Sequence, residues 1–239
     1  MPSAAIVTIG NELVSGDVPN TNASWLAKRL EALGVTVRLV AAIPDEIDLI
    51  AALVREVAAA EDYVFATGGL GGTPDDLTRE AIAAAFGVAQ AEVPEVAAEL
   101  RARFRRDPEY AARWAHLPQG SRPLQNPLGG APGFALENVF VLPGLPAEME
   151  AMFETLVPEV GGAPPIAGWR RRYRTREAEI VAVLVEAGER WPDVLVGSYP
   201  SFDLGGPEVE VVVKSSDADV LAEAAAWVEA ALDRIVGGR

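Results

Sequence analysis

Three times within the first ninety residues, an apolar run short enough to be a strand ends in a loop of Gly, Pro, Asn or Asp and gives way to a helix-periodic stretch. Residues 4–9 stop at Gly10, and Leu26, Leu30 and Leu33 then recur at helical spacing before Gly34, a natural helix end. Residues 35–43 are β-rich and stop at Pro44. Asp45 follows where a helix N-cap is expected, ahead of the apolar stripe Ile47, Ile50, Val54 and Val57. Residues 63–67 make a third buried run, and residues 78–86 read as a helix closed by Gly87. Successive β-loop-α units are joined by right-handed crossovers, so the expected fold class is α/β, in three layers around a mostly parallel sheet.

Further along, residues 94–106 and 108–115 read as helices, 139–142 as a strand and 146–156 as a helix. Between them, residues 119–134 are so broken by Gly and Pro that they read as loop with one short strand. Gly161, Gly162, Pro164, Pro165 and Gly168 form a linker, which places one domain at 1–165 and a second at 169–239. The second reads as β-α-β-β-α: a strand at 170–176, a helix carrying Ile180, Val183 and Ala187, a hairpin of residues 194–199 and 208–213, and a closing helix with Leu221, Val228 and Leu232. Ser198, within Gly197-Ser198-Tyr199-Pro200, is expected in a turn.

Half of the residues are hydrophobic but only 7% aromatic, which fits helices layered on an aliphatic sheet. A net charge of −15 repels phosphate backbones, so no nucleic-acid partner is expected. No apolar run approaches the roughly 20 residues that span a bilayer, and residues 1–10 lack the pattern of a signal peptide. The expectation is a cytoplasmic protein with no membrane partner. The chain has no cysteine, which excludes disulfides and thiolate chemistry and leaves a metal to oxygen ligands, with His116 as the one nitrogen candidate. The single histidine, His116, has no nucleophile motif beside it and reads as a surface or packing residue. Arg170, Arg171, Arg172, Arg174 and Arg176 read as a strand edge protected by charge.

In an open parallel sheet the ligand site lies beyond the carboxyl ends of the strands, so three loops should converge: Gly10-Asn11-Glu12 with Asn20-Thr21-Asn22, Pro44-Asp45-Glu46, and residues 67–78. The third loop carries Gly68, Gly69, Gly71 and Gly72, whose backbone can approach a ligand closely, just ahead of a helix start that favours anions. It has neither the lysine of a Walker loop nor the spacing of a dinucleotide fingerprint. Asp75 and Asp76 would repel a phosphate unless a divalent cation lay between them. The plainer alternative is that Asp75, Asp76 and Thr78 cap the following helix. Glu80, four residues after Asp76, is expected on the same helix face.

These loops resemble the signature loops of the amino-terminal domain of the CinA family, a branch of the molybdopterin-binding superfamily. The resemblance rests on Gly10-Asn11-Glu12-Leu13 with Asn20-Thr21-Asn22, and on Thr67 to Gly71 with Thr73, Asp75, Asp76 and Thr78. Residues 126–134 (NPLGGAPGF) and 142–149 (LPGLPAEM) continue the pattern in order and spacing, over about residues 4–158. Residues 169–239 resemble the small KH-like domain that follows in the same family. Gly72 stands where the family usually has Pro, and Asn11 where it often has Asp. The deamidase domain of many CinA proteins lies outside this sequence, so its activity is not carried over.

The resemblance implies a divalent-metal-dependent pyrophosphatase acting on an ADP-containing dinucleotide of the ADP-ribose or FAD type. The alternative is a non-catalytic or adenylyl-transferring protein that binds molybdopterin or a nucleotide. The site residues it implies are Asp76 and Glu80 for catalysis and Asp45, Asp75 and Asp76 for the metal. Gly10, Asn11, Glu12, Asn22, Gly68, Gly69, Gly71, Thr73, Thr78, Asn126, Pro143 and Gly144 are implied for the substrate. The expected cofactor is Mg, Mn or Co, with potassium as a further candidate; the expected partners are a nucleotide or pterin ligand and further copies of the chain in a homo-oligomer.

Overall fold

In the computed structural model, which describes residues 1–161 and 163–237, the chain divides into two units, residues 1–163 and 164–239. The first opens with β1 (Ser3–Ile9), α1 (Asn11–Ser15), α2 (Thr21–Ala32), β2 (Thr36–Ile43), α3 (Ile47–Ala60), β3 (Tyr63–Thr67) and α4 (Thr78–Phe86). It continues through β4 (Gln90–Glu92), α5 (Pro94–Arg103), α6 (Pro108–Ala112), β5 (His116–Pro118), β6 (Arg122–Leu124), β7 (Gly133–Leu136), β8 (Val139–Leu142) and α7 (Pro146–Leu156).

Six of these strands form one sheet in the order β2-β1-β3-β8-β7-β6. β1 pairs parallel with both β2 and β3, and β3 parallel with β8, whereas β7 and β6 run antiparallel at one edge. The alternation of β1 shows why both faces are covered: Ala5, Val7 and Ile9 pack with Ile50, Val54 and Ile82, whereas Ala4 and Ile6 pack with Leu26, Phe65 and Phe153 on the other side. Phe65 lies at the heart of that second layer, stacked on Phe140 and tilted against Phe153, each at 5.3 Å.

Local differences from the sequence reading have tertiary causes. The 119–134 segment holds two short strands rather than one, because β6 and β7 take their pairing from β8. His116 is exposed on β5, which pairs with β4 in a separate two-stranded sheet. Asp45 does not cap α3. The N-cap is Glu46, without a side-chain bond, because the Asp45 carboxylate is turned toward Asn11.

The second unit comprises β9 (Ala167–Tyr173), α8 (Glu177–Arg190), β10 (Leu195–Asp203), β11 (Gly206–Ser215) and α9 (Ala218–Val236), in the order β-α-β-β-α. Its antiparallel sheet, β10-β11-β9, turns Tyr173, Val209, Val211 and Val213 toward Ile180, Val228 and Leu232 of the two helices. β9 starts earlier than the arginine row suggested, and Arg174 and Arg176 lie past its end. As an edge strand it carries its arginines in ion pairs: Arg172 with Glu208 and Glu210, and Arg171 with Glu229 and Asp233. Ser198 lies within β10, not in a turn, because the hairpin is longer than expected, and its hydroxyl donates to Glu177.

The closest approach between strand ends is at Gly68, with φ of +109°, where an added Cβ would overlap the Ile9 carbonyl oxygen. Gly68→Ala is therefore expected to destabilise the protein by about 3 kcal/mol. Gly16→Ala, at φ +83° in open space, is expected to cost only about 1 kcal/mol. Denaturant titration of the two variants checks the difference, and equal losses would show that the Gly68–Ile9 approach is not a constraint.

Candidate functional site

Where the carboxyl ends of β1, β3 and β8 meet, paired polar residues draw the loops together. Thr8 and Thr67 face one another across β1 and β3, both buried. The Thr8 hydroxyl donates to the Ala41 carbonyl and accepts from the Asn20 amide at 2.8 Å, and Asn20 in turn caps α2. The Thr67 hydroxyl donates to the Pro143 carbonyl at 2.7 Å and accepts from Asn22, whose amide also donates to Gly144 O at 2.9 Å. Asn20, Thr21 and Asn22 are thus the cap and first turn of a helix rather than open loop.

The third loop is folded on its own carboxylate. Asp76 accepts from Gly71 N and Thr73 N, both at 2.8 Å, and from the Thr73 hydroxyl. Behind it, Arg79 is buried and donates to the carbonyls of Leu70 and Gly71, both at 2.7 Å, while Thr78 donates to Gly68 O. Burial pulls the Arg79 guanidinium below its ordinary value, against the nearby negative charge of Glu80 and Asp76. Asp76 is consequently a loop clasp and not an N-cap; α4 begins at Thr78, with Leu77 as its N-cap.

These loops wall a cavity of about 540 Å³. Gly10, Glu12 and Asn22 line it from the β1 side, Asp45 from the β2 side, and Gly68, Gly69, Gly71, Asp75 and Asp76 from the β3 loop. Pro143 and Gly144 line it from the β8 turn. Asn11, Thr73, Thr78 and Asn126 do not line it; each is hydrogen-bonded to a residue of the loops, and Asn11 and Thr73 are exposed. Asn11 and Asp45 hold each other, Asn11 N donating to Asp45 Oδ2 at 2.9 Å and Asp45 N to Asn11 Oδ1 at 3.4 Å.

Glu80 does not line the cavity. The expected four-residue spacing from Asp76 has no meaning there because Asp76 precedes the helix, and Glu80 Oε2 is buried without a hydrogen-bond partner. Residues that the sequence reading passed over also line the cavity: Leu13, Val18, Trp114, Gly130, Leu145 and Glu148. Glu148 was visible only as part of the 142–149 motif. Trp114 comes from a helical segment with no signal of its own.

The wall is acidic. Glu12, Asp45, Asp75, Asp76 and Glu148 line it, and among the described lining residues there is no Lys, Arg or His. Burial pushes Asp45 above the ordinary carboxylate value, opposed by its bond from Asn11 and reinforced by Glu12, Asp75 and Asp76. Asp75, fully exposed, is held below that value by the Thr73 hydroxyl, for whose single proton it competes with Asp76, and by its own backbone. The donors suit a divalent cation in kind. Among the described residues, however, no group of three or more acidic or histidine side chains is placed to hold one by itself.

Fold and site together define an α/β ligand-binding domain with its cavity across the carboxyl ends of a doubly wound sheet. The chain belongs to the family described as probable molybdopterin binding domain, which matches residues 5–162, and residues 172–237 match the FAD synthase middle domain. It is CinA-like. The crystal structure of the protein CinA, of unknown function, from Thermoplasma acidophilum superposes with a TM-score of 0.63 at 32% identity, covering 67% of this chain and 99% of that one. A protein of Pyrobaculum calidifontis is 38% identical over 99% of this chain and 95% of its own length. A CinA-like protein of Citrifermentans bemidjiense is 38% identical over 92% of this chain, which spans 56% of that relative. No helix among the described residues is long and apolar enough to cross a membrane.

Because the Asp45 pKa is raised on folding, its ionised form is disfavoured in the folded state, and that cost disappears as pH falls through the folded value. Asp45→Asn keeps an acceptor for Asn11 N and removes the repulsion. It is expected to raise the melting temperature at pH 7 by about 1–3 °C, an advantage that closes on acidification. Thermal melts across pH check this, and a pH-independent difference would mean that the charge of Asp45 is not its source.

Proposed function

We propose that the chain is a divalent-metal-dependent pyrophosphatase that cleaves the diphosphate of an ADP-containing dinucleotide, of the ADP-ribose or FAD type. The observation that carries this reading is the cavity wall, where the glycine backbone of residues 68–71 lies beside Glu12, Asp45, Asp75 and Asp76 with no cationic side chain among the described lining residues. Bare diphosphate would be repelled by such a wall, whereas diphosphate paired with cations meets it favourably. Asp45 and Asp75 are the residues suited to hold a divalent cation, with Asp76 sharing only what its loop bonds leave. Ligand phosphate oxygens and water would complete the coordination. What a bound divalent cation supplies is neutralisation of the diphosphate and polarisation of its P–O bonds.

The chain's own residues account for the remainder. The glycine loop, fixed by Asp76 and Arg79, orients the diphosphate. Cleavage places the water oxygen on one phosphorus and returns a proton to the departing phosphate, giving AMP and a sugar phosphate or FMN. The likeness of the second unit to a domain of FAD synthase supports an adenine dinucleotide as ligand.

A second reading, a binding or adenylyl-transferring protein for molybdopterin or a nucleotide, is favoured by one observation. Among the described residues, no group of three or more acidic or histidine side chains is placed to hold a catalytic cation by itself.

Asp76→Asn is a poor test, because both carboxylate oxygens accept hydrogen bonds and an amide nitrogen would meet one of the donors. Asp75→Asn is the better one. The wild-type protein is expected to release AMP from ADP-ribose or FAD only with Mg²⁺, Mn²⁺ or Co²⁺ present. Asp75→Asn is expected to slow release about tenfold at limiting metal, with a melting temperature within about 1 °C of wild type. Absence of AMP release by the wild type with every metal would overturn the hydrolase reading and leave the binding reading the stronger one.

A further inference from the structure

One carboxylate of the cavity stands apart from the others. Along the sheet order β2-β1-β3-β8, Asp45 follows β2, Glu12 follows β1, and Asp75 and Asp76 follow β3, whereas Glu148 follows β8 in the first turn of α7. Three strand steps separate the ends of β2 and β8, roughly 14 Å at ordinary strand spacing. Glu148 is therefore at the far end of the cavity from Asp45, with the glycine loop between them. The groups that raise the Asp45 pKa by their charge are Glu12, Asp75 and Asp76, and Glu148 is not among them.

Its carboxylate is held in place. Asn126 is buried, and its orientation is fixed because Oδ1 accepts from Leu128 N at 3.0 Å and Nδ2 donates to Ala131 O at 3.0 Å. The same Nδ2 donates to Glu148 Oε2 at 2.8 Å. On the other side the carboxylate rests against Gly130, where an added Cβ would overlap it. Glu148 Oε1 makes no hydrogen bond among the described residues. A fixed anion with a free acceptor, away from the other acids, repels phosphate and attracts a neutral group that offers hydrogen-bond donors.

We propose that Glu148 is a specificity-determining residue that accepts hydrogen bonds from the vicinal hydroxyls of a ribose, at the end of the ligand remote from Asp45. The assignment rests on the reading of the cavity as a dinucleotide diphosphate site. It divides the wall by role: a metal-diphosphate half around Asp45 and Asp75, and a sugar half around Glu148 with Leu145 beside it.

The test is calorimetric binding in Mn²⁺ of ADP-ribose and of its two analogues lacking the 2-hydroxyl on one ribose or the other, each made uncleavable by a methylene group in place of the bridging diphosphate oxygen, to wild type, Glu148→Gln and Glu148→Asp. Melting curves check that each variant is folded. Wild type is expected to bind one of the analogues about tenfold more weakly than ADP-ribose, the identity of that analogue naming the ribose. Glu148→Gln, nearly isosteric and still able to accept from Asn126, is expected to bind ADP-ribose about tenfold more weakly and to lose the discrimination. Glu148→Asp, with its charge kept but withdrawn, should do the same. An unchanged discrimination ratio in both variants, or weaker binding of Mn²⁺ alone, would overturn the sugar role and leave the dinucleotide reading standing. Failure of wild type to bind any of the three ligands would overturn both.

Discussion

Two buried hydroxyls at the ends of neighbouring strands hold this site together. Thr8 and Thr67 are opposite one another in the β1–β3 ladder, and each hydroxyl both donates to a carbonyl of the next strand's end and accepts from an asparagine of the 20–22 turn. A buried hydroxyl left without partners costs about 1–3 kcal/mol, so each pairing is nearly obligatory once the strands have formed. Through them the start of α2, the end of β2 and the β8 turn are tied to the two central strands. The position of the cavity follows from strand register and two threonines, and not from the chemistry of any ligand.

Electrostatics inside that frame are arranged in depth. The cavity wall is acidic, yet one layer behind the glycine loop lies a buried guanidinium with carbonyl oxygens, not a carboxylate, as its hydrogen-bond partners. Arg79 grips two successive carbonyls, a geometry that the planar fork of arginine allows and a lysine would not reproduce. Asp76 grips two amides of the same loop. The loop is thus held at both its carbonyls and its amides, which makes a chain of glycines stiff where composition alone suggests freedom. Stiffness of this kind fixes where a ligand's charge can lie before any ligand arrives.

What the sequence disclosed was whatever is local. Each β-loop-α unit is written in a contiguous pattern of apolar spacing and punctuation, and all three formed where they were read, with a short helix, α1, added in the first loop. Pairings that depend on distant residues stayed hidden: β6 and β7, three and four residues long, exist because β8 offers an edge. The loops were placed correctly, but the local contacts of some residues within them were not. Asp45 looked like a cap because capping is a local property, while its partner, Asn11, is 34 residues away. Glu80 was assigned by counting four from Asp76, an argument that holds only inside a helix, and the helix begins two residues too late for it. Glu148 could be seen only as a letter in a motif, since its distinguishing feature is isolation from the other acids.

Gly72 shows how a departure from a family pattern can be repaired from far along the chain. The family usually has proline at this position, and a glycine there would be expected to loosen the loop. In the folded protein a Cβ on Gly72 would fall 2.6 Å from Tyr110, so the tyrosine ring occupies the space that a larger residue would need. Tyr110 in turn meets Trp114 edge-on at 5.8 Å, and Trp114 meets Phe104 at 5.1 Å before reaching the cavity wall. The glycine is therefore one half of a contact, the other half being an aromatic row supplied by the end of α5, by α6 and by the segment after it. Loss of a rigid ring in the loop is offset by a rigid ring packed against it, and the clasp formed by Asp76 with Gly71 and Thr73 remains closed. Read as an isolated position, Gly72 argues for a decayed site; read with Tyr110, it argues for a loop whose order is kept by other means.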